Sequence, residues 1–309
     1  MAVTLKQLSE QAERLVPGHG LCPGCSESIV VRQVLMAIEG PVVVATATGC
    51  LEVSTTRFPY TAWRVPWVHS AFENAASTMS GIEATYKALV RRDRWTGPRP
   101  TFVVFGGDGA SYDIGLQWLS GALERGHRFL YICLNNEGYM NTGIQRSSAT
   151  IKGTWTTTTP VGRAQSGKME RRKDLTRVVT AHNIPYVAQA SPHLWKDLIG
   201  KVLKAVAKEG PSFINVLAPC TRGWRYEPEE TMRLGQLAVE TLVWPLYEVD
   251  EGVWRLTHHP RKRRPVREWL ESQGRFRHLL EPGNEKSVEE IQSWVDEEWH
   301  HLLKECGTP

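Results

Sequence analysis

The sequence predicts an α/β protein built on a doubly wound parallel sheet, followed by a C-terminal extension. Three observations carry that expectation. Apolar runs at 41–45 and 102–105 are short and continuous, as in strands covered on both faces. Between such runs lie segments with apolar residues at helical spacing, so strands and helices alternate. Asp108 and Asn136 fall just past two of the strands, where open α/β sheets bind ligands.

In chain order, Ser26 is placed to cap a helix over 27–36, stopped by Gly40-Pro41. Residues 42–46 read as a buried strand. Over 74–91, Ala75, Met79, Ile82, Tyr86 and Leu89 recur at helical spacing. Residues 101–105, 112–125 and 129–134 follow as strand, helix and strand. The stretch 141–173 is rich in Thr, Ser, Gly and Arg and lacks periodicity; a loop that long inside a compact domain is usually functional. Residues 182–187, a helix near 194–208 and a strand over 212–217 complete the alternation. From about Pro228 the character changes to short helices, a basic cluster at 258–265 and an acidic, Trp-containing helix around 288–303. The expected division is a sheet domain over 1–227 and an extension over 228–309 that wraps it or reaches a partner chain.

Composition excludes several classes. With 309 residues, 41% hydrophobic and 23% charged, the chain is neither disordered nor fibrous. A net charge of +4, from 37 basic and 33 acidic residues, is too balanced to announce a nucleic-acid binder, and the run Arg261 to Arg264 reads as a solvated face or subunit contact. No apolar run approaches the roughly 20 residues of a spanning helix. Lys6 and Glu10 stand where a signal peptide would have its apolar core, so a cytoplasmic location, with reduced thiols, is expected.

Two groups of residues point to chemistry. Gly107-Asp108-Gly109 ends one strand and Asn136 lies beyond the next. If those strands are neighbours, about 4.8 Å apart, a carboxylate and an amide oxygen reach one hard cation such as Mg²⁺, completed by diphosphate oxygens and water. The flanking glycines let backbone approach the phosphates. The second group is Cys22-Pro23-Gly24-Cys25 with Cys50 and Cys220, each at a strand end or in a loop. Four thiolates suit zinc or an iron–sulfur cluster, and spacing alone leaves both open. Cys133 reads as a core residue and Cys306 as a free thiol. His19 and His69 read as structural, and Glu27 and Glu73 as caps or ion-pair partners.

These groups, with their surroundings, resemble the β subunit of the 2-oxoacid:ferredoxin oxidoreductases, thiamine-diphosphate enzymes that include pyruvate synthase. The likeness lies in Gly18-His19-Gly20-Leu21-Cys22-Pro23-Gly24-Cys25, in Ala47-Thr48-Gly49-Cys50-Leu51-Glu52-Val53 and in 59–67. It continues in 72–76, Gly107-Asp108-Gly109 and 136–146, and in 244–249 and 273–276 of the extension. The resemblance implies a thiamine-diphosphate-binding sheet domain with Mg²⁺ on Asp108, Asn136 and the Gly138 carbonyl. It places Gly49, Gly107, Gly109 and Thr142 at the cofactor and Asn141, as catalytic residue, beside thiazolium and substrate. It makes Cys22, Cys25, Cys50 and Cys220 ligands of a [4Fe-4S] cluster that takes electrons one at a time.

The implied reaction is oxidative decarboxylation of a small 2-oxo acid, pyruvate favoured, with electrons passed to ferredoxin. Implied partners are a pyrimidine-domain subunit that brings the activating glutamate, a ferredoxin-like cluster subunit or domain, external ferredoxin and, for pyruvate, coenzyme A. No nucleic acid and no membrane are expected. Ser26, Ala110, Ser148 and the stretch 150–155 depart from the pyruvate-type pattern near the site's mouth, which keeps oxalate or another 2-oxo acid as the alternative substrate. The alternative from another class is a zinc-stapled binding subunit without catalysis.

Overall fold

The computed structural model describes residues 4–307. Helix α1 (Leu5–Ser9), closed by a capping box between Thr4 and Gln7, precedes α2 (Ser26–Ala37) and β1 (Val42–Ala47). Then follow α3 (Cys50–Thr55), β2 (Trp67–Ser70), α4 (Ala75–Arg91), β3 (Thr101–Gly107), α5 (Leu116–Glu124) and β4 (Leu130–Asn135). Helix α6 (Leu175–Thr180), β5 (Tyr186–Ala190), α7 (Trp195–Ala207), β6 (Ser212–Leu217) and α8 (Thr221–Trp224) come next. Helix α9 (Thr231–Glu240), β7 (Tyr247–Asp250), β8 (Val253–Leu256), α10 (Val266–Glu271) and α11 (Glu285–Glu305) form the extension.

Among the described residues eight strands share one sheet, ordered β2-β1-β3-β4-β6-β5-β7-β8. The first six are parallel, and β7 and β8 add antiparallel at one edge. The chain leaves β1 toward β2 and returns to place β3 on β1's other side. Strand order therefore switches between β1 and β3, and the crevice beyond such a switch is the expected ligand site.

Alternation along the strands makes two cores. Val103 and Phe105 of β3 face the side covered by α2 and α7, with Val31, Val34 and Val202. Phe102 and Val104 face the other side, with Met79 of α4 and Leu119 of α5. Fully burying one such side chain contributes roughly 1.5–3 kcal/mol, so slipping a strand by one residue would forfeit the set. A third core belongs mainly to the extension and includes Trp224, Trp244, Trp269, Phe276 and Trp294.

Several local expectations change. Ser26 opens α2 but does not cap it: Cys25 is the N-cap residue, and the Ser26 hydroxyl donates to the Pro219 carbonyl instead. The helix expected from 112 begins only at Leu116, after a π-turn over Gly109–Asp113. Strand β2 and the β7–β8 hairpin were not anticipated. The hairpin turns on Glu251 and Gly252, both at positive φ (48° and 78°), the conformation that suits a two-residue hairpin loop. In the basic cluster Arg261, Lys262 and Arg263 are exposed, in line with a solvated face, while Arg263 contacts Asp296 and Arg264 contacts Glu240 at 3.1 Å and Glu268 at 2.6 Å.

Candidate cofactor site

A cleft opens beyond the carboxyl ends of β1, β3 and β4. Gly49, Gly107, Asp108, Gly109, Asn136, Gly138, Asn141 and Thr142 all line it, together with Cys50 and Glu27. Register explains the convergence. Gly107 pairs with Leu134 across β3 and β4, so Asp108 and Asn136 leave adjacent strands at nearly the same height.

The Asp108 carboxylate is fully buried. Its Oδ2 accepts a hydrogen bond from the Ser147 hydroxyl, while Oδ1 has no partner. Burial pushes this carboxyl up to about 8; the Ser147 bond pulls the other way, and the charges of Asp113 and Glu137 add to the rise. Asn136 Nδ2 donates to Glu27 Oε1 at 3.0 Å, leaving Asn136 Oδ1 buried and unpartnered. Two orphaned oxygens at the ends of neighbouring strands fit a hard divalent cation, whose charge would also offset the desolvation at Asp108. The glycines keep the cleft open. A Cβ on Gly109 would stand 2.5 Å from Tyr139 Cε1, whereas Gly49 and Gly107 border free space.

The loop after β4 is shaped by its own hydrogen bonds. Tyr139 N donates to the Gln145 carbonyl at 2.9 Å and Ile144 N to the Tyr139 carbonyl at 3.0 Å. Ile144 takes φ 65°, a costly conformation for a β-branched residue and of the kind that gathers at functional loops. Asn141 and Thr142 stand exposed at the rim of the cleft.

Beside the cleft the chain gathers the four cysteines. Cys25 N donates to the Cys22 carbonyl at 3.0 Å, and Thr221 and Ser26 tie the Pro23 and Pro219 loops together. Burial and then the Glu27 charge push the Cys25 thiol upward; burial, Glu27 and the other three cysteines do the same at Cys50. Burial raises Cys220 to about 11, against a hydrogen bond from Gly223 N at 3.3 Å. The four thiols thus lie within each other's electrostatic reach. Among the described residues, however, no three His, Cys, Asp or Glu side chains stand close enough to hold a single metal ion.

Glu27 is neither a cap nor an ion-pair partner. It is buried in the cleft, raised to about 7 by burial against the Asn136 hydrogen bond, with Oε2 unpartnered. Sequence reasoning also passed over Ser147 and over Trp224, whose Nε1 donates to the Asn136 carbonyl at 2.7 Å. Cys133 is buried in β4, as expected of a core residue.

A parallel sheet with a carboxylate–amide pair beyond the carboxyl ends of β3 and β4 defines an α/β protein that binds a ligand and a cation at its strand ends. Consistent with this, residues 47–216 match the family described as thiamine pyrophosphate enzyme, C-terminal TPP binding domain. Pyruvate synthase subunit PorB of Thermotoga maritima is 49% identical over 98% of this chain and 96% of its own. The PorB of Methanocaldococcus jannaschii is 51% identical over 92% and 95% respectively. Ketoisovalerate oxidoreductase subunit VorB of Pyrococcus abyssi is 41% identical over 94% and 93%. A solved 2-oxoglutarate:ferredoxin oxidoreductase from Magnetococcus marinus shares the fold, with TM-score 0.54 at 20% identity over 72% of this chain and 79% of that one. The chain belongs to the β subunits of the 2-oxoacid:ferredoxin oxidoreductases, the family of PorB. Among the described residues no helix is long and apolar enough to cross a membrane.

Proposed function

We propose that this chain is the cofactor-holding subunit of a cytoplasmic enzyme that oxidatively decarboxylates pyruvate and passes the electrons to ferredoxin. The pair of buried, unpartnered oxygens on Asp108 and Asn136 carries the reading. Asp108, Asn136 and the Gly138 carbonyl hold Mg²⁺, while Gly49, Gly107, Gly109 and Thr142 receive the diphosphate. Cys22, Cys25, Cys50 and Cys220 hold a [4Fe-4S] cluster. Four thiolates suit zinc or a cluster, and the resemblance to the ferredoxin-linked family favours the cluster. Bound thiamine diphosphate supplies an electron sink for the carbon that loses CO₂, and the cluster a one-electron acceptor beside it.

The chain's own residues do the rest. Glu27 fixes the Asn136 amide so that Oδ1 faces the cation, and Ser147 leaves Asp108 one free oxygen. Asn141, at the rim, meets the substrate. Residues 228–309 form the extension that contacts a pyrimidine-domain subunit and a ferredoxin-like cluster subunit, and coenzyme A accepts the acyl group when pyruvate is the substrate. The test is elemental analysis with electron paramagnetic resonance on the anaerobically purified assembly. About four irons per copy of this chain, beyond those of the ferredoxin-like subunit, and no zinc support the proposal. Stoichiometric zinc with no such iron overturns the electron-transfer role. A substrate screen then decides between pyruvate and oxalate or another 2-oxo acid.

A further inference from the structure

We infer that Arg275, far away in the C-terminal extension, is a positioning residue of the metal-binding turn, acting through Glu137. The inference rests on the assignment of Asn136 and Gly138 to Mg²⁺. Glu137 lies between those two residues and takes φ 65°, where glycine would be the unstrained choice. A glutamate there is explained by what its side chain does. It turns inward, 1% exposed, and its Oε2 accepts a 2.6 Å hydrogen bond from Arg275 Nη2. Arg275 is itself 1% exposed. Its Nε donates to Gln273 Oε1 at 2.9 Å, and its guanidinium lies 4.0 Å from the Trp224 ring centroid.

The same Trp224 donates its Nε1 to the Asn136 carbonyl at 2.7 Å. The turn is therefore gripped twice from one cluster: by its side chain through Arg275 and by its backbone through Trp224. Asn135 Oδ1, accepting from Glu137 N at 3.1 Å, and Thr150, donating to the Glu137 carbonyl at 2.8 Å, complete the clamp. Arg172 Nη1, 3.9 Å from Glu137 Oε1, stands too far to replace the Arg275 bond. Groups that orient metal ligands from behind typically govern affinity by 10–100-fold.

A purely structural ion pair would also be buried, so the test separates the two. Titration calorimetry of Mg²⁺ in the presence of thiamine diphosphate is run on the assembled, cofactor-stripped enzyme. Arg275→Met leaves Glu137 buried without its main partner and is expected to lower the thermal midpoint and weaken Mg²⁺ at least tenfold. In Glu137→Met/Arg275→Met both charges are gone, and the midpoint recovers while the weak Mg²⁺ binding persists. Arg275→Lys keeps a charge but not the planar, stacked donor, and is expected to stay folded with Mg²⁺ weakened about tenfold. Wild-type Mg²⁺ affinity in either the double variant or Arg275→Lys overturns the inference. A wild-type assembly that binds thiamine diphosphate without Mg²⁺ overturns the metal assignment instead.

Discussion

At Asp108 the fold buries a carboxylate completely and leaves one oxygen without a donor. Removing it should uncouple the two cofactors. In the assembled enzyme, Asp108→Ala is expected to lose thiamine diphosphate and Mg²⁺ and keep its iron, whereas Cys25→Ala loses iron and keeps the diphosphate. Cofactor and metal analysis of both variants checks this, and retained diphosphate in Asp108→Ala counts against the assignment. Asp108 and Asn136 were legible in the sequence because strand ends announce them. Glu27, Ser147 and Arg275 were not, because their partners lie 109, 39 and 138 residues away, and only the fold brings them together. A second residue, His193, makes a pH prediction. Burial, helped by the His258 charge and opposed by Asp197, holds its imidazole down at about 4. The unfolded chain takes up that proton near pH 6.5. Between the two values the unfolded state holds more protons, so stability falls as pH drops from about 6.5 toward 4, by up to about 3 kcal/mol. Urea midpoints at pH 7 and pH 5 should show a drop that shrinks in His193→Gln; an undiminished drop would assign it to other groups.

Among the elements, those buried on both faces were the readable ones. Strands β1, β3, β4 and β6 appear as apolar runs because helices cover both sides, and β6 spans 212–217 as expected. Strand β2 lies at the sheet edge with Trp67, Val68 and His69 only partly covered, so no run betrays it. Strand β8 is half exposed, with charged Arg255 inside it. The connection from β3 to α5 depends on a contact that no periodicity reveals. A Cβ on Gly115 would lie 2.0 Å from the Ala110 carbonyl oxygen and 2.7 Å from that of Glu73. Both obstacles are backbone, so they cannot swing aside. Gly115→Ala is expected to cost about 1–3 kcal/mol and to displace the Gly109–Asp113 turn that follows Asp108. Calorimetric unfolding should show a lowered midpoint and thiamine-diphosphate binding should weaken; an unchanged protein would mean that the turn tolerates a wider path.

At the scale of the whole molecule, the parallel sheet delivers its carboxyl ends to one crevice, and the extension reaches back to that crevice through Arg275, which lies against Trp224 of α8. The cleft nonetheless carries only two carboxylates among its lining residues. Its lining carboxylates are Glu27 and Asp108, and each is engaged: Glu27 with the Asn136 amide, Asp108 with Ser147. Each keeps one oxygen unpartnered, that of Asp108 assigned to the cation, while the family resemblance places the glutamate for the aminopyrimidine end of thiamine diphosphate in another subunit. Asn141 and Thr142 stand exposed at the rim, available to a second wall. The chain alone, supplied with thiamine diphosphate and Mg²⁺, is therefore expected to bind the diphosphate weakly and to release no CO₂ from pyruvate. Titrating in the partner subunits should restore CO₂ release and ferredoxin reduction together, saturating at a fixed subunit ratio. Measurable turnover by the isolated chain would place the activating group within it, and Glu27 would then be the first residue to replace.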